Sequence, residues 1–359
     1  MSNSSNLINN IMYFIRQYWK YKFRDLGMTF SSIVFSSGVT ILLYGGVWKL
    51  LIAFEVFNIP SSISFNANDY SGFGIILIIF GLAIGIVRLI DLGKQLTGIL
   101  IVHRGMEGME TSAIKNVLPK SLLKGKLEII DLHEGHQIHQ GKVIHPERAL
   151  EVINHLDQQI KTRLNGRLIS EVNLAYGGLA PIPLMVAAGF KVTSRQNCII
   201  LDYSRVGSWH GLDNIDDQEE ITVSGPKEAI DENVAIIMPF SLSIADSQLP
   251  DVLSKKSYSM SLRDGARPDS LNSTDKQNRV ANEFYKLCAN MKATHPNVKE
   301  IHVFIASQAS FAFRLGTMLT TSVMPKISIY QYDSSLGEYS WGVTITSGIN
   351  PTITNSKNI

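Results

Sequence analysis

From residue 127 onward, short apolar runs alternate with amphipathic stretches. LEIIDLH (127–133) reads as a strand, ERALEVINHLDQQIKTRL (147–164) as a helix and EVNLAYGG (171–178) as a second strand. PIPLMVAAG (181–189) then opens a helix, and NCIILDYSR (197–205) is a third strand. The same order returns in VAIIMPFS (234–241), KQNRVANEFYKLCANMK (276–292), EIHVFIAS (300–307), QASFAFRLG (308–316) and KISIYQYD (326–333). Runs such as CIIL and AIIM have no polar face, as expected of parallel strands covered on both sides. The pattern predicts an α/β domain over 127–359, built from two tandem halves of about 127–230 and 231–350.

Ahead of it the pattern changes. Residues 29–54 carry one charge, Lys49, and residues 72–90 carry one, Arg88. As helices they would extend roughly 39 Å and 28 Å, against a hydrocarbon core of about 30 Å, which predicts a two-helix transmembrane hairpin over 29–95. Arg16, Lys20, Lys22 and Arg24 lie in an aromatic–basic segment (1–28), and the connection 55–71 has no Lys or Arg. Lys94, Arg104 and Lys115 follow the second run, so the basic flanks put both termini in the cytoplasm. Gly38, Gly45 and Gly46 in the first run, and Gly74, Gly81 and Gly85 in the second, leave room for close helix contact and favour self-association. No ionisable group sits in the middle of either run, which argues against a transporter or selective channel. Residues 96–126, with Lys115, Lys120, Lys124 and Lys126, read as a basic connector, either solvated or laid along anionic headgroups of the lipid bilayer.

Composition narrows the chemistry. A formal charge of +2 over 359 residues does not point to nucleic-acid binding, and no DNA partner is expected. Cys198 and Cys288 form no ligand or redox pair. GxGxxG, GxxxxGK[ST] and GxSxG are missing, so dinucleotide, P-loop and serine-hydrolase chemistry have no local support. The cluster HEGHQIHQGKVIH brings His133, His136, His139 and His145 together, but without the i, i+4 spacing of HExxH. No metal, cofactor or catalytic residue is predicted.

Two junctions stand out. YGGLAPIP in the first half and ASQASFAF in the second each follow a core strand and lead into a helix that ends in glycine, Gly189 or Gly316. Ligands of open α/β sheets bind beyond the carboxyl ends of the strands, so both junctions are expected at one crevice suited to a ligand with two or more phosphates. Tyr176, Gly177 and Gly178 close one strand, and Ser307, Gln308 and Ser310 follow the other. Arg205 ends a strand and is a candidate phosphate contact. Arg314 is a second one, with a surface ion pair as its alternative role. Tyr203, Trp209, Phe240 and Tyr332 are candidates for base stacking, with core packing the alternative for each.

EIHVFIASQASFAFRLGTML followed by KISIYQYDSSLGEYSWGVTIT resembles the SAVED domain, a fused pair of CARF-like Rossmann halves that senses cyclic oligonucleotides. The resemblance covers roughly 127–350 and is more specific in its second half. With the two apolar runs ahead of it, the chain is similar to the transmembrane SAVED effectors of CBASS antiphage systems. That resemblance implies a cyclic di- or trinucleotide ligand made by a partner CD-NTase cyclase, and homo-oligomer formation on binding. It also implies a multi-pass protein of the bacterial inner membrane whose spans damage that membrane, with no catalysis. The alternative is a membrane-bound phosphodiesterase acting on the same ligands, for which His133 or Lys191 are available.

Overall fold

The computed structural model describes residues 26–44, 70–94, 96–105, 109, 111–123, 125–133, 138–139, 142–165, 172–192, 198–204 and 206–359. The chain divides into two compact units, Met1–Gln95 and Leu96–Ile359. In the first unit, helices α1 (Leu26–Tyr44) and α2 (Tyr70–Lys94) pack on each other. A Cβ on Gly38 would lie 2.8 Å from the Gly74 carbonyl oxygen, and one on Gly81 2.8 Å from the Phe35 nitrogen. Ser31 Oγ donates to the Gly81 carbonyl at 2.8 Å. Of the glycines read as a self-association surface, these serve a contact within one chain.

The expected transmembrane hairpin is corrected here. Among the described residues no helix is long and apolar enough to cross a membrane, which also overturns the inner-membrane localisation. What the hydropathy pattern detected is an outward apolar band on α2, with Ile76, Ile79, Phe80 and Val87 exposed. The aromatic–basic segment through residue 25 and most of the 55–71 connection lie outside the described residues.

The second unit begins earlier than its repeat suggests. Residues 96–126, read as a connector, contain strand β1 (Leu96–Arg104) and the short helix α3 (Thr111–Lys115). Then come β2 (Lys126–Asp131), α4 (Pro146–Asn154), α5 (Leu156–Leu164), β3 (Asn173–Leu179), α6 (Ile182–Val192), β4 (Cys198–Tyr203) and β5 (Trp209–Gly211). They form a five-stranded sheet ordered β2-β1-β3-β4-β5. The second half runs β6 (Ile221–Ser224), β7 (Asn233–Pro239), β8 (Ser257–Leu262), α7 (Thr274–Thr294), β9 (Glu300–Ala306), α8 (Ala309–Met318), β10 (Lys326–Asp333), β11 (Glu338–Ile345) and β12 (Thr352–Asn355). Its seven-stranded sheet is ordered β12-β11-β10-β9-β7-β8-β6. Each half therefore holds one strand more than the pattern predicts, β1 in the first and β8 in the second, so that β1 matches β7 and β2 matches β8.

Alternation along the strands explains the apolar runs. Ile99 and Ile101 of β1, with Val234, Ile236 and Met238 of β7, enter one core shared by both sheets and the helices between them. Leu100 and Val102 face the other way onto Ile114, Leu118 and Leu122. Ala235 and Ile237 do the same against Leu249 and Leu253. A strand buried on both faces keeps no polar side.

The halves are joined where α6 crosses α8. A Cβ on Gly189 would lie 2.0 Å from the Phe313 carbonyl oxygen, and one on Gly316 2.0 Å from that of Val186. The contact is reciprocal, each glycine admitting the other helix's backbone. Tyr176 of β3 stacks on Phe313 of α8 across the same joint, ring centroids 3.6 Å apart.

Candidate functional site

The strand orders fix where a ligand would enter. β2 and β3 lie on opposite sides of β1, and β8 and β9 on opposite sides of β7, all in parallel pairs. The direction of winding reverses between β1 and β3 and again between β7 and β9, and a crevice opens at the carboxyl ends of strands at such a point. The two ends are built alike. The Gly105 N–H donates to the Leu179 carbonyl at 2.8 Å, and the N–H groups of Phe240 and Ser241 donate to the Ala306 carbonyl at 2.9 and 2.8 Å. Each rim then feeds a crossing helix, α6 or α8, so the glycine joint ties the two points together. A Cβ on Gly105 would sit 2.6 Å from Ala180 Cα, so the backbones meet there.

Beneath the rims, each helix start is met by a polar side chain from the opposite half. Gln331 Oε1 of β10 accepts from the Ile182 N–H at the head of α6, at 2.9 Å. Asp202 of β4 accepts from Gln308 Nε2 at 2.8 Å, just ahead of α8. Asp202 and Gln331 occupy matching places in IILDY and SIYQY, each followed by a tyrosine. Asp202 is 2% exposed. Burial pushes its carboxyl above the usual carboxylate range, opposed by hydrogen bonds from Gln308, the Tyr203 backbone and Ser310. Gln308 Oε1 accepts in turn from the Leu271 N–H at 2.7 Å, and Gln277 Nε2 donates to Ser310 Oγ at 2.9 Å.

Sequence reasoning passed over Gly105, Asp202 and Gln331. The available signal was a polar residue closing an apolar run, in IILD and again in SIYQ.

Of the residues it did select, several form the floor and joint instead of a free surface. Tyr176 is fully buried, its hydroxyl 3.0 Å from His103 Nδ1. Gly177 and Gly178 are buried, and a Cβ on Gly178 would meet the Tyr176 hydroxyl at 2.4 Å. Phe240 and Ser310 are buried, Phe240 edge-on to Phe311 with centroids 5.4 Å apart. Arg314 turns inward: its Nε donates to Gln277 Oε1 at 3.0 Å and its Nη1 to Asn278 Oδ1 at 2.8 Å, and burial draws its pKa down. Ser307 lies half-buried at the rim, its Oγ donating to the Gln308 carbonyl at 3.2 Å. Arg205 lies outside the described residues.

Tyr203 and Tyr332 are 37% exposed each and stand at matching strand ends. Tyr203 leans on the buried Trp209 with centroids 5.2 Å apart, Tyr332 on the buried Tyr339 at 5.4 Å. Neighbouring side chains alternate faces: Leu201 and Tyr330, which share a face with Tyr203 and Tyr332, belong to the outer cores, while Asp202 follows Ile200 of the shared core. Burial pushes the Cys198 thiol up to about 12 and raises that of Cys288 further, so neither supplies a thiolate.

The bridging role of Gln308 makes a stability prediction. Gln308→Ala leaves the Leu271 N–H and Asp202 short of a partner, at a cost of about 1–3 kcal/mol. Ser307→Ala is expected within about 0.5 kcal/mol, because its hydroxyl bonds only the next carbonyl. Denaturant unfolding of the two variants checks the contrast.

The model of the SAVED family (SMODS-associated and fused to various effectors sensor domain) matches residues 152–345, more than half of the chain. No curated protein matches. Among solved structures, the chain is similar to the Acinetobacter baumannii Cap4 SAVED/CARF-domain containing receptor with the cyclic trinucleotide 2'3'3'-cAAA. Identity there is 13%, over 86% of this chain and 76% of that one, with a TM-score of 0.46. The same receptor with 3'3'3'-cAAA matches at 12% identity over 80% of this chain and 62% of that one, TM-score 0.44. The Moraxella osloensis Cap4 SAVED/CARF-domain containing receptor matches at 13% over 77% and 65%, TM-score 0.45. The family match takes in β3 through β11, and with them the glycine joint and the strand ends on both sides of the crevice: the chain belongs to the SAVED family of sensor domains.

Proposed function

We propose that the chain is a receptor for a cyclic di- or trinucleotide, bound in the crevice where the two winding reversals meet, and that it acts in a CBASS-type antiphage system. The observation that carries the reading is the doubled rim: two strand ends built from matching backbone bonds, feeding two helices that cross at Gly189 and Gly316, in a chain of the SAVED family. A ring of repeated nucleotides offers like groups to like rims. The Acinetobacter receptor, which carries cyclic trinucleotides in its structures, supports the choice of ligand class. In this reading a cyclase supplies the ligand, binding brings copies of the chain together, and the first unit delivers the response without catalysis. The membrane-disrupting output implied by the two expected spans is not carried over.

The test exposes the full chain to 3'3'-cyclic di-AMP, 3'3'3'-cAAA and 2'3'3'-cAAA. A ligand at a hundred times its Kd stabilises the native state by about 2.7 kcal/mol, seen as a rise in melting temperature. Light scattering with and without the same nucleotide reports assembly. Chromatography of the recovered ligand separates the alternatives: intact ring fits a sensor, and linear product a phosphodiesterase. No stabilisation by any cyclic nucleotide would sink the reading.

A further inference from the structure

The sequence offered Arg205 and Arg314 as phosphate contacts, yet Arg314 is committed to Gln277 and Asn278 inside the second half. Lys256, Lys299 and Lys326 stand at or beside the amino ends of β8, β9 and β10, each paired with an acid: Asp231, Glu232 and Glu300. They are at the wrong end of the sheet for the crevice.

At the right end, past the carboxyl ends of the strands, one arginine in each half is held by a carboxylate; Arg263, directly after β8, has no such fork among the described residues. Arg104 is the last residue of β1, directly before Gly105 at the first winding reversal. Its Nε donates to Asp131 Oδ1 at 3.1 Å, and its Nη2 to Oδ2. Arg267 stands at the second reversal, where its backbone N–H donates to the Phe240 carbonyl at 3.0 Å. Its guanidinium is held by Glu219 through Nη1 at 2.9 Å and Nη2 at 2.6 Å. Both side chains are partly exposed, and both are gripped by a carboxylate from the flank.

A guanidinium has five N–H donors in a plane, and a carboxylate fork takes two of them. Among the described residues nothing else takes the three donors left on each arginine, and the fork fixes their direction. An ordered donor loses little side-chain entropy when an anion arrives.

We infer that Arg104 and Arg267 form a matched pair of phosphate grips, one at each winding reversal, held in place by Asp131 and Glu219. The inference rests on the crevice proposed above and names the residues that contact the ligand's phosphates there. A ring whose phosphates reach both rims engages both guanidiniums, so losing either weakens binding, and losing both weakens it further.

The experiment uses the full chain as wild type, Arg104→Gln, Arg267→Gln and Arg104→Lys. Calorimetry is run with the three nucleotides named above and with inorganic pyrophosphate, at two salt concentrations. Each Gln variant is expected to lose about ten- to hundredfold in nucleotide affinity and to show a shallower salt dependence. Arg104→Lys keeps the charge without the fork, and is expected to fall between wild type and Arg104→Gln. Unliganded melting temperatures show that the variants are folded, and Lys276 still faces Glu219 when Arg267 is replaced. Wild-type nucleotide binding with both Gln variants within twofold overturns the arginine pair and leaves the crevice standing. If no nucleotide binds, the crevice reading fails, and pyrophosphate decides the pair. A pyrophosphate response lost in both Gln variants supports the grips, and no response in wild type overturns them.

Discussion

Gly316→Val is expected to lower the melting temperature of the second unit by about 6–12 °C, at a cost of about 3 kcal/mol or more. The cause lies at the crossing of α6 and α8. A Cβ on Gly316 would stand 2.0 Å from the Val186 carbonyl oxygen and 2.9 Å from the Phe190 nitrogen, both backbone atoms. No rotamer change relieves such a clash, so one helix must retreat from the other. The retreat opens the stacked pair Tyr176–Phe313 and strains the Gln308–Asp202 bond beside it. Gly189→Val should behave alike, meeting the Phe313 carbonyl at the same distance. Gly211→Ala is the control, since a Cβ there meets nothing within 4 Å, and a change below about 1 kcal/mol is expected. Calorimetric or fluorescence melting of the three variants checks the series. A Gly316→Val protein melting with the wild type would mean that the helices do not approach this closely. Because the crossing joins the two rims, the same variant should also lose nucleotide binding.

The two junctions were visible in the sequence for the reason that makes them work. A core strand ending in small residues, followed by a helix with a glycine in its last turn, is what a close crossing at the end of a sheet demands, and the chain writes it twice. KISIYQYD matches β10 residue for residue because its strand ends at a turn on one side and a polar boundary on the other. β1 escaped because LTGILIVHR lies in the stretch 96–126, whose lysines Lys115, Lys120, Lys124 and Lys126 gave the whole segment the look of a basic connector. β8 escaped because SYSMSL carries serine on its polar positions, which reads as loop, although Met260 and Leu262 are buried. The 147–164 stretch was read as one helix and is two, parted at His155. Side-chain roles were the least legible. Tyr176, Phe240 and Arg314 have the chemistry to touch a nucleotide, but only packing shows that the joint between the halves already uses them. Asp202 carries the opposite lesson: a carboxylate at the end of an apolar strand looks like a surface residue until the second half covers it.

Lys276→Met should be among the most destabilising single substitutions outside the apolar core. Lys276 is 1% exposed in the first turn of α7, and its Nζ lies 2.7 Å from both Asp217 Oδ2 and Glu219 Oε2. These acids belong to the strap that carries the chain from the first half to the second. Asp213 pairs with Ser273, and Arg279 forks onto Asp216 at 2.7 and 2.9 Å. Without Lys276, Glu219 is left to Arg267 alone and the half-exposed Asp217 to solvent, so the loss is that of charge-assisted hydrogen bonds, about 1.5–3 kcal/mol. Methionine fills a similar volume, so the loss reports charge and not a cavity. Urea unfolding should show a lower midpoint with the slope retained. Acid titration gives an independent reading. The fork from Arg267, opposed by burial and aided by Lys276, draws Glu219 from 4.5 down to about 2. A depressed carboxylate adds stability that is fully present above its ordinary pKa and drains away as pH falls from about 4.5 towards 2. Wild type should therefore lose stability steeply across that window. Glu219→Gln should start lower at neutral pH and change less on the way down. Parallel acid-unfolding curves for the two proteins would show that the strap contributes nothing through this charge.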